Sequence, residues 1–315
     1  MFDEIVVPVD GSPFGELALP VALGIACESG GEVRIVTVIT PISDGRSEGA
    51  PDSDEAGRLL LAREHVERYQ AELQKRLILS GCDIPISCHV ETGSVADELD
   101  RHARTHGADL LVMTTHGRGP LRRAWLGSVA DGLLRRTPCP ILAIRPKEGE
   151  DLSLELRAFR HILVTLDGSP ESREIMPYAS ALARVFDARV SLLRVIPPHF
   201  PLTSPFTSHT SHGFQGLKEE EEAVREALKV EAESLRKEGL DVGVEVRTGL
   251  HPAEGILELA ESKSVDLVAM ATHGRGGVAR LILGSVADKV VRGGNVPVLL
   301  NRAGWEGGAR TGSGA

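Results

Sequence analysis

"THGRGPLRRAWLGS", Thr115–Ser128, returns later in the same chain as "THGRGGVARLILGS", Thr272–Ser285. A glycine-spaced segment repeated at this length points to duplication of something larger. The flanks agree. "IVVPVDGSP" at Ile5–Pro13 matches "ILVTLDGSP" at Ile162–Pro170, "RIVTVITP" from Arg34 matches "SLLRVIPP" from Ser191, and "ADLLVMTTHGRG" from Ala108 matches "VDLVAMATHGRG" from Val265. The displacement is the same for Asp10 and Asp167, Gly117 and Gly274, and Gly127 and Gly284; it drifts by one residue in the middle, where Thr92 pairs with Thr248. The unit is too long for a solenoid repeat. The reading is two copies of one domain, 1–146 and 159–303, with an acidic linker at 147–158 and a glycine-rich tail at 304–315 expected to be disordered.

Each copy alternates strand and helix. In the first, Ile5–Val9 is a short apolar run and reads as a buried strand. Ser12 and Pro13 supply an N-cap and a first-turn proline, so a helix is expected from there to Ser29, closed by Gly30-Gly31. Strands are expected at Glu32–Ile39, Ile84–Val90, Leu110–Met113 and Pro140–Ile144, and helices at Glu55–Ser80, Val95–Thr105 and Ser128–Arg136. In the second copy, Pro197–Leu217 is rich in Pro, Ser and Thr and reads as a mobile loop over the crevice. The acidic run at Lys218–Lys229 reads as the solvated start of a helix, its acids near the N-terminus. Alternation of this kind predicts a doubly wound, mostly parallel five-stranded sheet of order 3-2-1-4-5, with helices on both faces. The ligand crevice of such a sheet lies where the strand order reverses, at the carboxyl ends of strands 1 and 4. Asp10 closes strand 1 and the quoted loop follows strand 4, so topology brings them together.

That loop has the chemistry of an anion site. The helix after Gly127 presents unpaired N–H groups and the positive end of its dipole. Gly117 and Gly119 permit close backbone approach, and Arg118, Arg122 and Arg123 add charge. The second copy keeps Gly274, Arg275, Gly276, Arg280, Gly284 and Ser285. Asp10 and Asp167 are suited equally to capping the next helix, to accepting bonds from a ribose, or to holding a metal through water. His116 and His273 read as structural loop residues.

These residues, in this order and twice over, resemble the universal stress protein family as a tandem pair spanning nearly the whole chain. ATP-binding members of that family carry Gly-x2-Gly-x9-Gly-Ser/Thr, a strand-1 aspartate and a strand-2 hydrophobic residue whose backbone meets adenine. By position the resemblance implies Asp10, Val38, Thr114, Gly117, Gly127, Ser128 and Val129 in the first copy, and Asp167, Val195, Ala271, Gly274, Gly284, Ser285 and Val286 in the second. Thr114 and Ala271 stand where the motif has its first glycine. The resemblance also implies ATP with Mg2+ or Mn2+ on its phosphates, a regulatory stress role, and pairing of domains through the last strands, "CPILAIR" and "VPVLLNR", with a homodimer as the further assembly; a cytoplasmic setting is expected from cysteines that read as reduced thiols.

Other classes fare worse. The formal net charge of −10 argues against a nucleic-acid binder. No apolar run is long enough to span a bilayer, and the N-terminus does not read as a signal peptide. Cys27, Cys82, Cys88 and Cys139 lack metal-type spacing and read as reduced thiols, Cys27 and Cys139 as small core residues. His199, His209 and His212 are too loosely spaced to read as a metal site. There is no Gly-x4-Gly-Lys-Ser/Thr, and "GRGGVA" at Gly274–Ala279 follows the wrong strand for a dinucleotide fingerprint. No nucleophile–base pair stands out, and both quoted loops lack lysine, so a slow ATPase or adenylate-transferring enzyme ranks below simple binding. A nucleotide-free dimerisation scaffold is the third reading.

Overall fold

A computed structural model describes residues 1–41, 53–78, 83–115, 127–145, 156–198, 211–272 and 283–302. They fall into two compact units, the first built on Met1–Arg157 and the second on Ala158–Asn301.

The first unit runs β1 (Glu4–Pro8), α1 (Pro13–Glu16), α2 (Leu19–Ser29), β2 (Glu32–Ile39), α3 (Ser53–Ile78), β3 (Ile86–Thr92), α4 (Val95–His106), β4 (Leu110–Thr114), α5 (Ser128–Leu134) and β5 (Ile141–Ile144). The second repeats the series: β6 (His161–Thr165), α6 (Pro170–Arg173), α7 (Met176–Phe186), β7 (Arg189–Ile196), α8 (Ser211–Lys237), β8 (Val242–Thr248), α9 (Pro252–Ser262), β9 (Leu267–Ala271), α10 (Ser285–Gly293) and β10 (Val298–Asn301). The strand order is β3-β2-β1-β4-β5 in one unit and β8-β7-β6-β9-β10 in the other, the expected 3-2-1-4-5 in each. The ladders within each unit are parallel. The central strands are sealed on both faces: Ile5, Val6, Val7, Leu110, Leu111 and Val112 are all fully buried. This is why they read as continuous apolar runs rather than alternating ones.

Four departures from the sequence reading have physical causes. The helix expected from Pro13 to Ser29 is two helices. Pro20 has no N–H, and its ring conflicts with the carbonyl four residues earlier, at Glu16, where α1 stops. Pro177 divides α6 from α7 after Arg173 in the same way. Strand β3 begins at Ile86 rather than Ile84, because Pro85 offers only its carbonyl, which accepts from Val33 N at 2.9 Å. Helix α8 begins at Ser211, inside the stretch read as loop, so the acids of Lys218–Lys229 sit in its body and not in its first turn. Finally, Cys27 is disulfide-bonded and only half-buried. Scatter along the chain argued for reduced thiols, but cross-linking depends on separation in the fold. Cys139 is the buried free thiol expected, its pKa pushed up to about 12 by burial, and Cys88 is also free. Cys82, residues 147–155 of the linker, residues 199–210 of the stretch read as a mobile loop, and the tail lie outside the described residues.

Among the described residues, no helix is long and apolar enough to cross a membrane.

Candidate functional site

Register builds the site. Pro8 pairs with Val36, so counting on two residues sets Asp10 level with Val38. Val6 pairs with Leu111, which by the same count sets Asp10 level with Thr115, the residue after β4. In the second unit Thr165 pairs with Leu193 and Val164 with Ala269, bringing Asp167 level with Val195 and Thr272. Residues remote in sequence thus share one row across the mouth of each sheet, where its order reverses.

Asp10 organises a turn. Its Oδ1 accepts from Ser12 N at 2.9 Å and Ser12 Oγ at 2.5 Å, and Ser12 Oγ in turn accepts from Gly15 N at 3.1 Å. The second unit repeats this with Asp167, Ser169 and Ser172 at 2.9, 2.5 and 3.1 Å. Helix capping therefore falls to the serines, with the aspartates one step behind them. Gly11 and Gly168 make the intervening bend at φ 74° and 82°, a conformation side chains resist. Asp10 is exposed, which leaves its other oxygen open to the crevice.

The start of the helix after β4 is equally repeated after β9. Gly127 N donates to Thr115 O at 3.0 Å and Gly284 N to Thr272 O at 2.9 Å. Gly127 has an ordinary φ of −54°, so its need for glycine lies elsewhere. A Cβ placed there would lie 3.0 Å from the Thr115 carbonyl oxygen. Gly127 and Gly284 stand at the N-cap positions of α5 and α10, so neither cap residue has a side chain to accept from the first-turn N–H groups. Ser128 and Ser285 are exposed; Val129 and Val286 are half-buried. Thr114 and Ala271, each 9% exposed, end β4 and β9 beneath the row. Val38 and Val195 are half-buried near the ends of β2 and β7, and a Cβ on Gly255 would come within 3.0 Å of the Val195 methyls. Gly117, Gly274, His116, His273 and the arginines of the two flaps lie outside the described residues.

What stands behind the aspartate differs between the units. In the first, Glu16 is buried and accepts from Tyr69 Oη and Arg76 Nη2, each at 2.9 Å. Burial, reinforced by the Glu16 and Asp10 charges, drives the Tyr69 hydroxyl well above its usual range. Gln70 Nε2 reaches Thr37 Oγ1 at 3.1 Å and His89 O at 2.9 Å. In the second, Arg173 takes the place of Glu16 and pairs with Glu231 at 2.6 Å. Arg194 takes the place of Thr37, and its guanidinium lies against Gly168. Sequence reading passed over Tyr69 and Arg76, because α3 carries no motif and Glu16 is far away along the chain, and over Arg194, because its place on β7 does not show which turn its side chain reaches. The repeat held one usable signal: Glu16 and Thr37 change to arginine at matching positions.

The described residues define a tandem of doubly wound α/β domains, each with a strand-end aspartate and a glycine-anchored helix start at its topological switch point. Both halves match the model of the universal stress protein family, over residues 1–145 and 158–302, and the chain belongs to that family. It is 34% identical over 156 residues to a universal stress protein of Methanocaldococcus jannaschii, covering 49% of this chain and 85% of that one. Two relatives match end to end. One from Mycobacterium tuberculosis is 28% identical and covers 95% of this chain and 94% of its own; one from Synechocystis is 24% identical and covers 95% and 99%. The crystal structure of a universal stress protein from Archaeoglobus fulgidus superposes with a TM-score of 0.66 at 19% identity, covering 95% and 96%, a likeness of fold.

Proposed function

We propose that each unit binds ATP in its switch-point crevice and that occupancy serves a regulatory stress response. The observation that carries this reading is the coincidence, in both units, of the strand-end aspartate with the helix start held at Gly127 or Gly284. Adenosine lies over the ends of β1 and β2, with Asp10 or Asp167 accepting from the ribose and the backbone at Val38 or Val195 meeting the adenine. The phosphates lie toward Gly127, Ser128 and Val129, or Gly284, Ser285 and Val286, with Gly117 or Gly274 in the flap. Uncapped N–H groups fit a polyanion, and Thr114 and Ala271 form the floor. Mg2+ or Mn2+ is held by the phosphates, where it neutralises charge. The setting is cytoplasmic, where ATP is available. Chains associate as a homodimer.

Calorimetric titration with ATP and Mg2+, run beside a phosphate-release assay, tests the reading. Binding at two sites without appreciable turnover supports it. Rapid multiple turnover favours an ATPase, and no heat favours a nucleotide-free scaffold.

A further inference from the structure

Three imidazoles meet beneath α4 of the first unit. His89 stands on β3, and His102 and His106 stand one turn apart on α4. Ring centroids are 4.3 Å apart for His102 and His106, 4.9 Å for His89 and His102, and 5.8 Å for His89 and His106. The His102 side chain is 1% exposed. Its Nδ1 lies 3.1 Å from Glu91 Oε1, and its Nε2 is buried with no hydrogen-bond partner. The bond to Glu91 sets the tautomer: Nδ1 carries the proton and Nε2 is a bare lone pair. Protonation would put an N–H and a charge at Nε2 with nothing to accept the bond, which is the costly case for a buried donor.

Among the described residues, the carboxylates around the cluster are already paired. From β1 comes Glu4, and from β2 come Glu32 and Arg34; both carboxylates are engaged by that one guanidinium. Glu91 on β3 is shared by His102 and Arg101, the latter at 2.7 Å, and Arg101 also holds Glu98 on α4 at 2.5 Å. On the flank toward α5, Asp97 is paired with Arg136, and Arg104 with Asp100 at 3.0 Å. Burial, then Arg34 and His106, hold His89 below the usual imidazole range. Burial, then the two neighbouring imidazoles, do the same for His102 against the opposing pull of Glu91.

The second unit supplies a control. Register puts Glu245 where His89 stands, since Val36 pairs with His89 and Leu193 with Glu245. The helix-end bonds Ala108 N to Ala103 O and Val265 N to Ala260 O put Leu259 at the place of His102 and Lys263 at that of His106. Leu259 is buried, and Lys263 Nζ pairs with Glu245 at 2.7 Å.

We propose that His89 and His102, packed against His106, form an acid-responsive latch: while neutral they hold α4 on the sheet of the first unit, and their protonation loosens it, a response that Glu245 and Leu259 do not give the second unit. The sign follows from linkage. A histidine neutral in the docked state and ordinary when released contributes docking stability that is whole above about pH 6.5 and declines as pH falls below it. Between pH 7.5 and 5.5 each such histidine weakens docking by up to about tenfold. Glu4, raised to about 7 by burial, acts in the opposite sense, but it is bonded to Arg34 within the strand layer and stays there when α4 lifts.

Amide hydrogen exchange on the full chain at pH 7.5 and 5.5, corrected for intrinsic exchange rates, reads local opening directly. The expected result is that α4 loses about tenfold or more in protection at pH 5.5 while α9 does not. The triple substitution His89→Glu, His102→Leu, His106→Lys, which transplants the second unit's residues, abolishes the difference. His102→Leu alone reduces it, should the triple variant fail to fold. Equal responses of α4 and α9 in the wild type, or an undiminished α4 response in a folded variant, would overturn the proposal.

Discussion

Asp10 separates a structural role from a binding role, because the two depend on different properties of its carboxylate. The turn needs only an acceptor at Oδ1 for Ser12 N and Ser12 Oγ. A ribose contact needs the charge as well, since bonds to a charged acceptor contribute about 1.5–3 kcal/mol against about 0.5–1.5 kcal/mol for neutral ones. Asp10→Asn keeps the acceptor and drops the charge. It should leave stability within about 0.5 kcal/mol of wild type and weaken ATP at the first site by about 1–1.5 kcal/mol, about tenfold in Kd. Asp10→Ala removes both. Because Asp10 is exposed, water re-solvates the freed Ser12 groups, so the stability loss is held to about 1 kcal/mol while affinity falls further. Asp167 should behave alike in the second unit. Calorimetry on the two single variants and the double variant, paired with urea unfolding, distinguishes the roles. A doubly substituted Asp10→Ala, Asp167→Ala protein that unfolds earlier yet titrates with ATP as the wild type does would refute the binding role and leave only the turn.

Three further outcomes follow from the packing. Leu99→Ala, at a fully buried position on the inner face of α4, should cost about 2–5 kcal/mol in urea unfolding through lost burial and an unfilled cavity; a loss below about 1 kcal/mol would mean that α4 is not packed as described. Arg76→Met leaves the buried Glu16 carboxylate with only the Tyr69 hydroxyl and should cost about 1–2 kcal/mol, discounted for the partial exposure of Arg76. Part of that loss should return when Glu16→Gln is added, and a double-mutant cycle with zero coupling would rule out the ion pair. Glu4 contributes stability that is whole below its ordinary value of 4.5 and lost as pH rises through about 7, because burial favours its neutral form. Glu4→Gln should therefore gain on the wild type in thermal unfolding between pH 5 and pH 8, whereas a constant gap would exclude a shifted Glu4.

The repeat made the architecture legible. Two aligned copies fix which apolar runs are strands, and strand–helix alternation then favours right-handed crossovers and a doubly wound parallel sheet. The site row was legible for the same reason: Asp10, Val38 and Thr115 are placed by strand register, which the apolar pattern specifies. Helix interruptions at Pro20 and Pro177 were also readable, had the clash with the residue four earlier been weighed against the continuous apolar pattern. The pairs that distinguish the two crevices were not. Tyr69 with Glu16 and Gln70 with Thr37 depend on how a long amphipathic helix settles on its sheet, and helical periodicity gives the buried face without naming its opposite numbers; Arg194 meets Gly168 through the way its long side chain lies across from β7 to the turn after β6. The imidazole cluster had half a signal: His102 and His106 share a helix face by spacing, while His89 joins them only through the β2–β3 register.

The backbone bond from Gly127 to Thr115, and its twin from Gly284 to Thr272, has a consequence for how such a chain can vary. Each is made by main-chain atoms alone, so it closes the base of the intervening segment whatever side chains that segment carries. Once the base is closed, lengthening or shortening the segment changes closure entropy only slowly, about 0.6 kcal/mol for each doubling. The segment is therefore an exchangeable cassette on a fixed clasp. The two units can diverge in the length and side chains of this segment without either sheet having to be rebuilt.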